Sequence, residues 1–377
     1  MRKLAHVEKI VSIQPIDGAD RIEVATVLGW QVVVKKDEFN VGDKVVYIEI
    51  DSRVPNDNPY FAFLTDRNYK VKSIKLRKQI SQGLIVPMEV LPSGEYEEGA
   101  DVTDVLGIKK IEEDFKQPKL NKEDELKRRH RKLANKKWFK YLMKYKWFRN
   151  VAFKFLLPKK KKSGWPAWIV KTDEERVQNM PWVLQKKEPF FCTEKLDGTS
   201  TTFSLHKEGR KWKFYVCSRN VVQEDINQKN YHTTEDIGNV YWEMAIKYNI
   251  EKVLYKLVDD LDAQEYVTIQ GETIGEGIQK NKYELKGRDF YVFNIIYDDI
   301  KLTPNLVDTH TEVNGLKSVP ILSCDYILPD TIDELMEFVT GNSKLHNTLR
   351  EGIVFRNYDM TISFKCVSNK FLLKWNL

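Results

Sequence analysis

The chain has 377 residues, enough for two or three domains, and its 42% hydrophobic content is enough to fill their cores. A formal net charge of +6 and a pI near 8.8 fit a nucleic-acid partner. The first ten residues are polar and charged, and no apolar run nears membrane-spanning length, so neither a secretory signal nor a transmembrane segment is expected.

Residues 1–107 form a first unit. Strand-like runs stand at 7–13, 23–27, 31–34 and 44–49, with a further strand near 83–86 ahead of Pro87. Turn signals at Asp17 and Gly18, at Gly29, and at Gly42 and Asp43 separate them. Short strands with this punctuation predict a small closed all-β barrel. Such barrels bind single strands through basic grooves and aromatic faces. Arg67, Lys70, Lys72, Lys75 and Arg77, interleaved with Tyr69, are the candidate contacts, whereas Trp30 and Tyr47 read as barrel core.

Residues 108–163 form a basic insert, with 21 Lys or Arg against 6 Asp or Glu. Residues 121–137 are dominated by charge. Residues 138–157 interleave Trp138, Phe139, Tyr141, Tyr145, Trp147, Phe148, Phe153 and Phe155 with lysines, and four lysines follow at 159–162. Frequent Leu, Lys, Ala and Glu predict some helix. Three readings stay open: a solvated interdomain linker with a docked aromatic helix, an arm that grips RNA, and a basic amphipathic helix on a membrane surface.

Residues 164–377 carry the chemistry. Residues 194–198 read Glu-Lys-Leu-Asp-Gly. An apolar lead-in at 190–193 predicts a strand, Gly198 a turn, and 199–205 the returning strand. Lys195 then stands at a strand end facing a cleft, and Gly198 has no side chain to crowd a ligand. A lysine amine is a nucleophile only when deprotonated, and its unperturbed pKa is about 10.4. Nearby cations or a metal ion must favour the neutral form. A lysine that attacked an anionic group would also need cations for the developing charge.

Suitable groups follow in order. Ser218-Arg219-Asn220 ends the strand-like run 212–217, and Gln270-Gly271-Glu272-Thr273-Ile274-Gly275 follows the run 266–269. An aromatic strand at 290–295 contains Phe293. Glu351-Gly352-Ile353-Val354-Phe355-Arg356 and Ser363-Phe364-Lys365-Cys366 come last. Helices are expected at 235–262 and 332–340, the second capped by Thr331 with Glu334 completing a capping box. The pattern reads as an α+β domain with antiparallel sheets flanking a cleft. Its cysteines (Cys192, Cys217, Cys324, Cys366) lack metal or disulfide spacing and read as thiols of a soluble, intracellular, cytoplasmic protein.

Lys-x-Asp-Gly resembles the nucleophile motif of covalent nucleotidyltransferases. With the five segments after it, in the family's order, the chain resembles the ATP-dependent RNA ligases of the Deinococcus and Naegleria type. Residues 172–178 and 270–283 look like that type too, and residues 20–27 with Gly29 and Trp30 resemble its N-terminal OB module. The resemblance implies an ATP-grasp-like ligase adenylyltransferase domain behind an all-β OB barrel, with ATP and Mg²⁺ or Mn²⁺ as cofactors. Lys195 would be the adenylated nucleophile. Glu194 and Asp197 would orient the lysine or ribose beside Gly198, and Arg219 would contact ribose or phosphate. Glu272 would bind ribose hydroxyls or a metal-bound water, and Phe293 would stack on adenine. Glu351 would hold the metal through water. Lys365 would touch the α-phosphate, Arg176 the triphosphate, and Arg356 the RNA.

The implied substrate is a nicked duplex with RNA on the 3′-hydroxyl side, DNA being admissible on the 5′-phosphate strand, and the implied enzyme is a monomer. Two positions depart from the family. Val367 stands where many relatives have a second lysine, and Arg356 replaces a lysine. DNA ligases and capping enzymes share the lysine motif but carry an OB domain after the last motif; none is expected after Lys365 here. A rival reading is a non-catalytic RNA-binding protein with a decayed transferase fold. Val367 favours that rival; intact Lys195, Glu272, Glu351 and Lys365 oppose it.

Overall fold

The computed structural model describes residues 3–111, 126, 133, 135–156, 165–223 and 239–375, without the side chains of residues 147, 150, 151, 154 and 155. The chain divides into one unit of Met1–Ile111 with Trp165–Leu377, and a second of Glu112–Gly164.

The first unit opens with β1 (Ala5–Lys9), β2 (Ser12–Pro15), β3 (Ile22–Val27), β4 (Trp30–Lys35), β5 (Lys44–Ile48), β6 (Ser52–Arg53), β7 (Lys70–Val71), β8 (Ile74–Leu76), β9 (Gln79–Ser81), β10 (Leu84–Pro87) and β11 (Lys109–Lys110). They pair as β1-β5-β10, β2-β3-β4, β11-β6-β7 and β8-β9. The expected strand at 7–13 is two strands. Ile10 turns into the core while Val11 turns to solvent, and their amides donate to Asp43 and Thr26 at 3.1 and 2.8 Å. One bent backbone thus serves two sheets, which is how short strands close a barrel. Trp30 and Tyr47 are fully buried with ring centroids 6.3 Å apart, as core residues should be.

In the second unit, α1 (Lys137–Leu142) and α2 (Lys146–Leu156) follow. Leu126, Phe139 and Ala152 make a small core there, packed by Leu133, Met143, Phe148, Phe153 and Leu156. Trp138, Tyr141 and Tyr145 are exposed. Most of the charged run at 121–137 and the lysines at 159–162 lie outside the described residues.

The rest of the first unit contains β12 (Glu175–Arg176), β13 (Pro189–Lys195), β14 (Thr199–Glu208), β15 (Lys211–Ser218), α3 (Val240–Lys247), α4 (Ile250–Asp260), β16 (Tyr266–Gly275), β17 (Arg288–Tyr297), β18 (Ile300–Lys301), α5 (Pro304–Val313), β19 (Lys317–Ser318), β20 (Ile321–Ile327), α6 (Ile332–Val339), β21 (Gly352–Asn357), β22 (Ser363–Val367) and α7 (Asn369–Trp375). One sheet runs β15-β14-β16-β17-β18 with β19 beside β17; the other runs β12-β22-β21-β13-β20. The expected helix at 235–262 is instead α3 and α4, broken where Asn249 takes a left-handed conformation that asparagine tolerates (φ 47°). Residues 235–238 lie outside the described residues. The capping box at Thr331 and Glu334 is present.

Strand alternation sets the faces. Phe203, Leu205, Val267, Ile269, Phe290 and Val292 pack on helices α3 and α4. Phe190, Cys192, Ile353, Phe355, Phe364 and Cys366 pack on α6. The intervening residues therefore face away from the helices: Lys195, Val354, Arg356 and Lys365 on one sheet, Gln270, Glu272, Tyr291 and Phe293 on the other. No helix among the described residues is long and apolar enough to cross a membrane.

Candidate active site

Lys195 ends β13 opposite Gly352 of β21. A Cβ at Gly352 would meet the Cys366 carbonyl at 2.0 Å, so glycine lets the strands close beside the lysine. Lys195 Nζ lies 2.7 Å from both carboxylate oxygens of Glu351, the residue before β21. Glu272 comes from the other sheet and accepts the Gly198 amide at 3.1 Å. Asp197 donates its amide to Tyr283 Oη at 2.8 Å, and its carboxylate is ion-paired with Lys282.

Gly198 is also required by the packing of the protein itself. A Cβ there would meet the Thr273 carbonyl at 2.3 Å and Ile274 Cγ2 at 2.6 Å. The missing side chain allows the turn to approach β16, which seats Glu272 beside Lys195.

The charges do not balance locally. Burial pulls the Lys195 ammonium down, but Glu351, Glu272 and Asp197 outweigh it and hold its pKa above the ordinary lysine value. Burial pushes Glu272 up to about 8, against the pull of Lys195 and with the help of Glu351 and Asp197. Burial also raises Glu351 despite its lysine partner. Both partners of one ion pair are raised because three carboxylates crowd one lysine. This excess of buried negative charge suits a cation. Among the described residues no three acidic, His or Cys side chains converge closely enough to ligate a metal directly, so an ion held by Glu272 and Glu351 would keep water ligands. Lys365 is driven down to about 8 by burial, Lys195 and Arg176.

Lys195, Asp197, Gly198, Glu272, Glu351 and Lys365 are thus brought together. Arg176 pairs in register with Lys365 across β12 and β22, and its guanidinium lies 5.2 Å over the Trp30 ring. Phe293 falls at a slip in the β16–β17 register and packs half-buried against the cluster of Leu196, Ile274, Tyr283 and Tyr291. Arg219 is half-exposed and ion-paired with Asp173. Arg67 and Lys72 are exposed and Lys70 half-buried, all apart from this constellation on the barrel around β7.

Two expectations are corrected. Glu194 does not face the cleft. Strand parity turns it to the opposite side of β13, where it is buried and accepts the Lys344 amide at 2.8 Å. Arg356 is no surface RNA contact. It is 2% exposed and donates to Thr193 Oγ1 and to Glu174, each at 3.3 Å. Val367, the departure from the family, is buried among Ile80, Phe371 and Leu372. Residues with no role assigned from sequence also enter: Lys282 and Tyr283 grip Asp197, and Lys301 lies beside Arg356, pushed down to about 8 by burial. Lys282 and Tyr283 close the stretch 270–283, whose resemblance was their only signal.

An OB-fold domain family matches residues 4–88, and the RNA ligase family matches residues 188–376. No curated protein matches the chain. Among solved structures it is similar to a Naegleria gruberi RNA ligase mutant with AMP and Mn, at 30% identity and TM-score 0.71, covering 99% of each chain. A Naegleria gruberi RNA ligase with PPi matches at 31% identity and TM-score 0.69, and a mutant with ATP and Mn at 30% and 0.70, again over 99% of each chain.

Proposed function

The chain belongs to the RNA ligase family, and we propose that it seals 3′-hydroxyl/5′-phosphate breaks at the expense of ATP, through Lys195. The observation that carries this reading is the placement of Lys195 Nζ against Glu351, with Glu272 on the facing sheet and Lys365 two strands away.

In the first step Lys195 Nζ, having lost its proton to solvent, attacks the α-phosphorus of ATP. A nitrogen–phosphorus bond forms, the bond to the bridging oxygen breaks, and pyrophosphate leaves. In the second, a 5′-phosphate oxygen attacks the same phosphorus and frees the lysine, leaving an adenylated 5′ end. In the third, a 3′-hydroxyl attacks that end, AMP leaves, and the hydroxyl proton passes to solvent. All three are in-line displacements that reward positioning and charge stabilisation.

The chain's residues divide this work. Lys365, sharing the inner face with Lys195, supplies positive charge toward the α-phosphate, and an anionic ligand would restore the proton its burial disfavours. Arg176 extends that field toward the triphosphate. Phe293 offers a half-buried ring for the base. Glu272 and Glu351 would hold Mg²⁺ or Mn²⁺ through water, and the ion when bound would neutralise the carboxylates and favour the unprotonated lysine. The substrate is a nicked duplex with RNA on the 3′-hydroxyl strand, and Arg67, Lys70 and Lys72 contribute to its grip from the barrel.

Incubation with ATP labelled at the α-phosphate and Mg²⁺ or Mn²⁺ tests the reading. The wild type takes a covalent label and Lys195→Ala takes none. Wild-type protein that stays unlabelled, even after pyrophosphate has stripped any bound AMP, would overturn it in favour of an RNA-binding protein without transferase activity.

A further inference from the structure

Lys282 is almost completely buried, and its ammonium is committed to Asp197, two residues beyond Lys195. A buried ammonium is costly unless paired and well surrounded. Here the surroundings are aromatic: the nitrogen lies 5.2 Å over the Phe371 ring and 5.8 Å over that of Trp375, both on α7. Such faces attract a desolvated cation. The next residue, Tyr283, accepts the Asp197 amide at 2.8 Å. Consecutive residues therefore hold the carboxylate and the backbone of one turn residue.

The same loop completes the grip. Gln279 Nε2 donates to the Gly198 carbonyl at 3.4 Å, and Glu272 accepts the Gly198 amide. Within the loop Gln279, Lys280, Asn281 and Glu284 all adopt left-handed backbone (φ 44°, 62°, 47° and 51°). Such conformations cost energy and persist only where surrounding bonds fix them. Asn281 supplies two of these, donating to the Leu285 carbonyl at 2.9 Å and accepting its amide at 3.1 Å. On the far side of the rings, α7 packs Phe371 and Leu372 against Val367 and Ile80.

We propose that Lys282 is a positioning residue for adenylation, fixing the Asp197–Gly198 turn and with it Lys195 from an aromatic platform on α7. The inference rests on Lys195 being the adenylated residue. The lysine leaves β13 at the strand end, so the turn that follows sets its aim. A nucleophile displaced by an ångström loses rate steeply without losing ground-state affinity.

Single-turnover self-adenylation of the full chain, followed against ATP concentration, separates this role from a purely structural one. Lys282→Met is expected to lower the maximal rate by about 10- to 100-fold, leave the half-saturating ATP concentration within about twofold, and be largely rescued by Lys282→Arg. Trp375→Leu, which removes one ring and keeps the ion pair, gives a smaller loss with the same split. This second variant decides the matter if Lys282→Met fails to fold. A wild-type maximal rate in Lys282→Met overturns the inference. So does a parallel loss of rate, affinity and melting temperature that arginine does not rescue, which would mark an ordinary buried ion pair. Wild-type protein that takes no label removes the premise itself, an outcome distinct from a labelled wild type with an equally fast variant.

Discussion

Both oxygens of the Glu351 carboxylate lie 2.7 Å from Lys195 Nζ, so the lysine is stored as an ammonium that cannot attack. Its raised pKa has a definite sign in stability: the pairing stabilises the fold below the ordinary lysine range and is lost as pH rises through the folded value. Self-adenylation should therefore climb with pH. Glu351→Gln removes both the partner that holds the proton and a candidate metal carboxylate. The expected outcome is a fall of about 100-fold or more in rate, since losing one electrostatic contact to a reacting group costs about 10²–10³. The pH of half-maximal residual rate should also move downward. A pH–rate profile of labelling checks both, and an unmoved midpoint would show that Glu351 does not control the lysine proton.

Glu272 predicts a pH dependence of stability. Its carboxyl is raised from 4.5 to about 8 in the fold, so between those values the folded chain binds more protons than the unfolded one. Stability is then fullest below 4.5 and declines as pH rises across that window. Glu351 is raised too and adds a decline of the same sign. Glu272→Gln should flatten the slope and raise the melting temperature at the upper end by about 2–4 °C for each kcal/mol recovered, while losing protection by ATP with Mg²⁺. Melting curves across this range test it; a wild-type slope in the variant refutes it.

Gly198→Ala should be costly for a reason tied to the site. Its Cβ would press on the Thr273 carbonyl, and relief by separating the turn from β16 would move Glu272 away from Lys195. Overpacking of this kind costs about 1–3 kcal/mol, and labelling should be lost with it. Gly209→Ala is the control: it sits at positive φ, 66°, but has open space, so about 1–2 kcal/mol and normal labelling are expected. Equal labelling in the two variants would sink the argument.

What could be read from the sequence rests on its motifs and strand periods. Lys195, Glu272, Glu351 and Lys365 were legible because their segments, in order, resemble the family's motifs, and each stands on or beside a periodic strand. The two mainly antiparallel sheets followed from the same runs, but not their parallel pairs, β12 with β22 and β17 with β19. The faces were less accessible. Glu194 and Lys195 are adjacent, and only the pairing of β13 with β21 decides which enters the cleft. The bend at Ile10 and the break at Asn249 interrupt otherwise continuous patterns, so propensity alone runs through them. Lys282 sits in an irregular loop with no period to expose its burial, and its partners are 85 and 89 residues away in sequence, at Asp197 and Phe371.

Arg356 supplies a test of its corrected place. Removing one member of a buried pair costs about 3–5 kcal/mol, and the lower end applies because Glu174 keeps 19% of its side chain exposed. Arg356→Gln should therefore destabilise the domain and weaken labelling. RNA affinity should keep its salt dependence, whereas loss of a phosphate contact would reduce that slope by about one. A reduced slope with unchanged melting would restore the surface reading.

The insert offers the last prediction. Across residues 135–156 there is no acidic residue, and Lys137, Lys140 and Lys144 are exposed between Trp138, Tyr141 and Tyr145. The two tyrosine hydroxyls lie 3.2 Å apart with rings edge to face at 5.8 Å. Leu133, Met143, Phe148, Phe153 and Leu156, which a membrane-seated helix would turn outward, pack instead on the unit's own core. Rings with polar tips among lysines suit stacked bases and phosphates better than acyl chains. Alanine at Trp138, Tyr141 and Tyr145 together should weaken nicked-RNA binding by tenfold or more, since each stacked base is worth about 1–3 kcal/mol. Glutamine at the three lysines should flatten the salt dependence instead. Neither set should slow self-adenylation, because none of these residues belongs to the Lys195 constellation. Anisotropy titrations with a labelled nicked duplex, beside sedimentation with anionic vesicles, decide the matter: vesicle binding that depends on the three rings while RNA affinity does not would assign this face to a membrane surface.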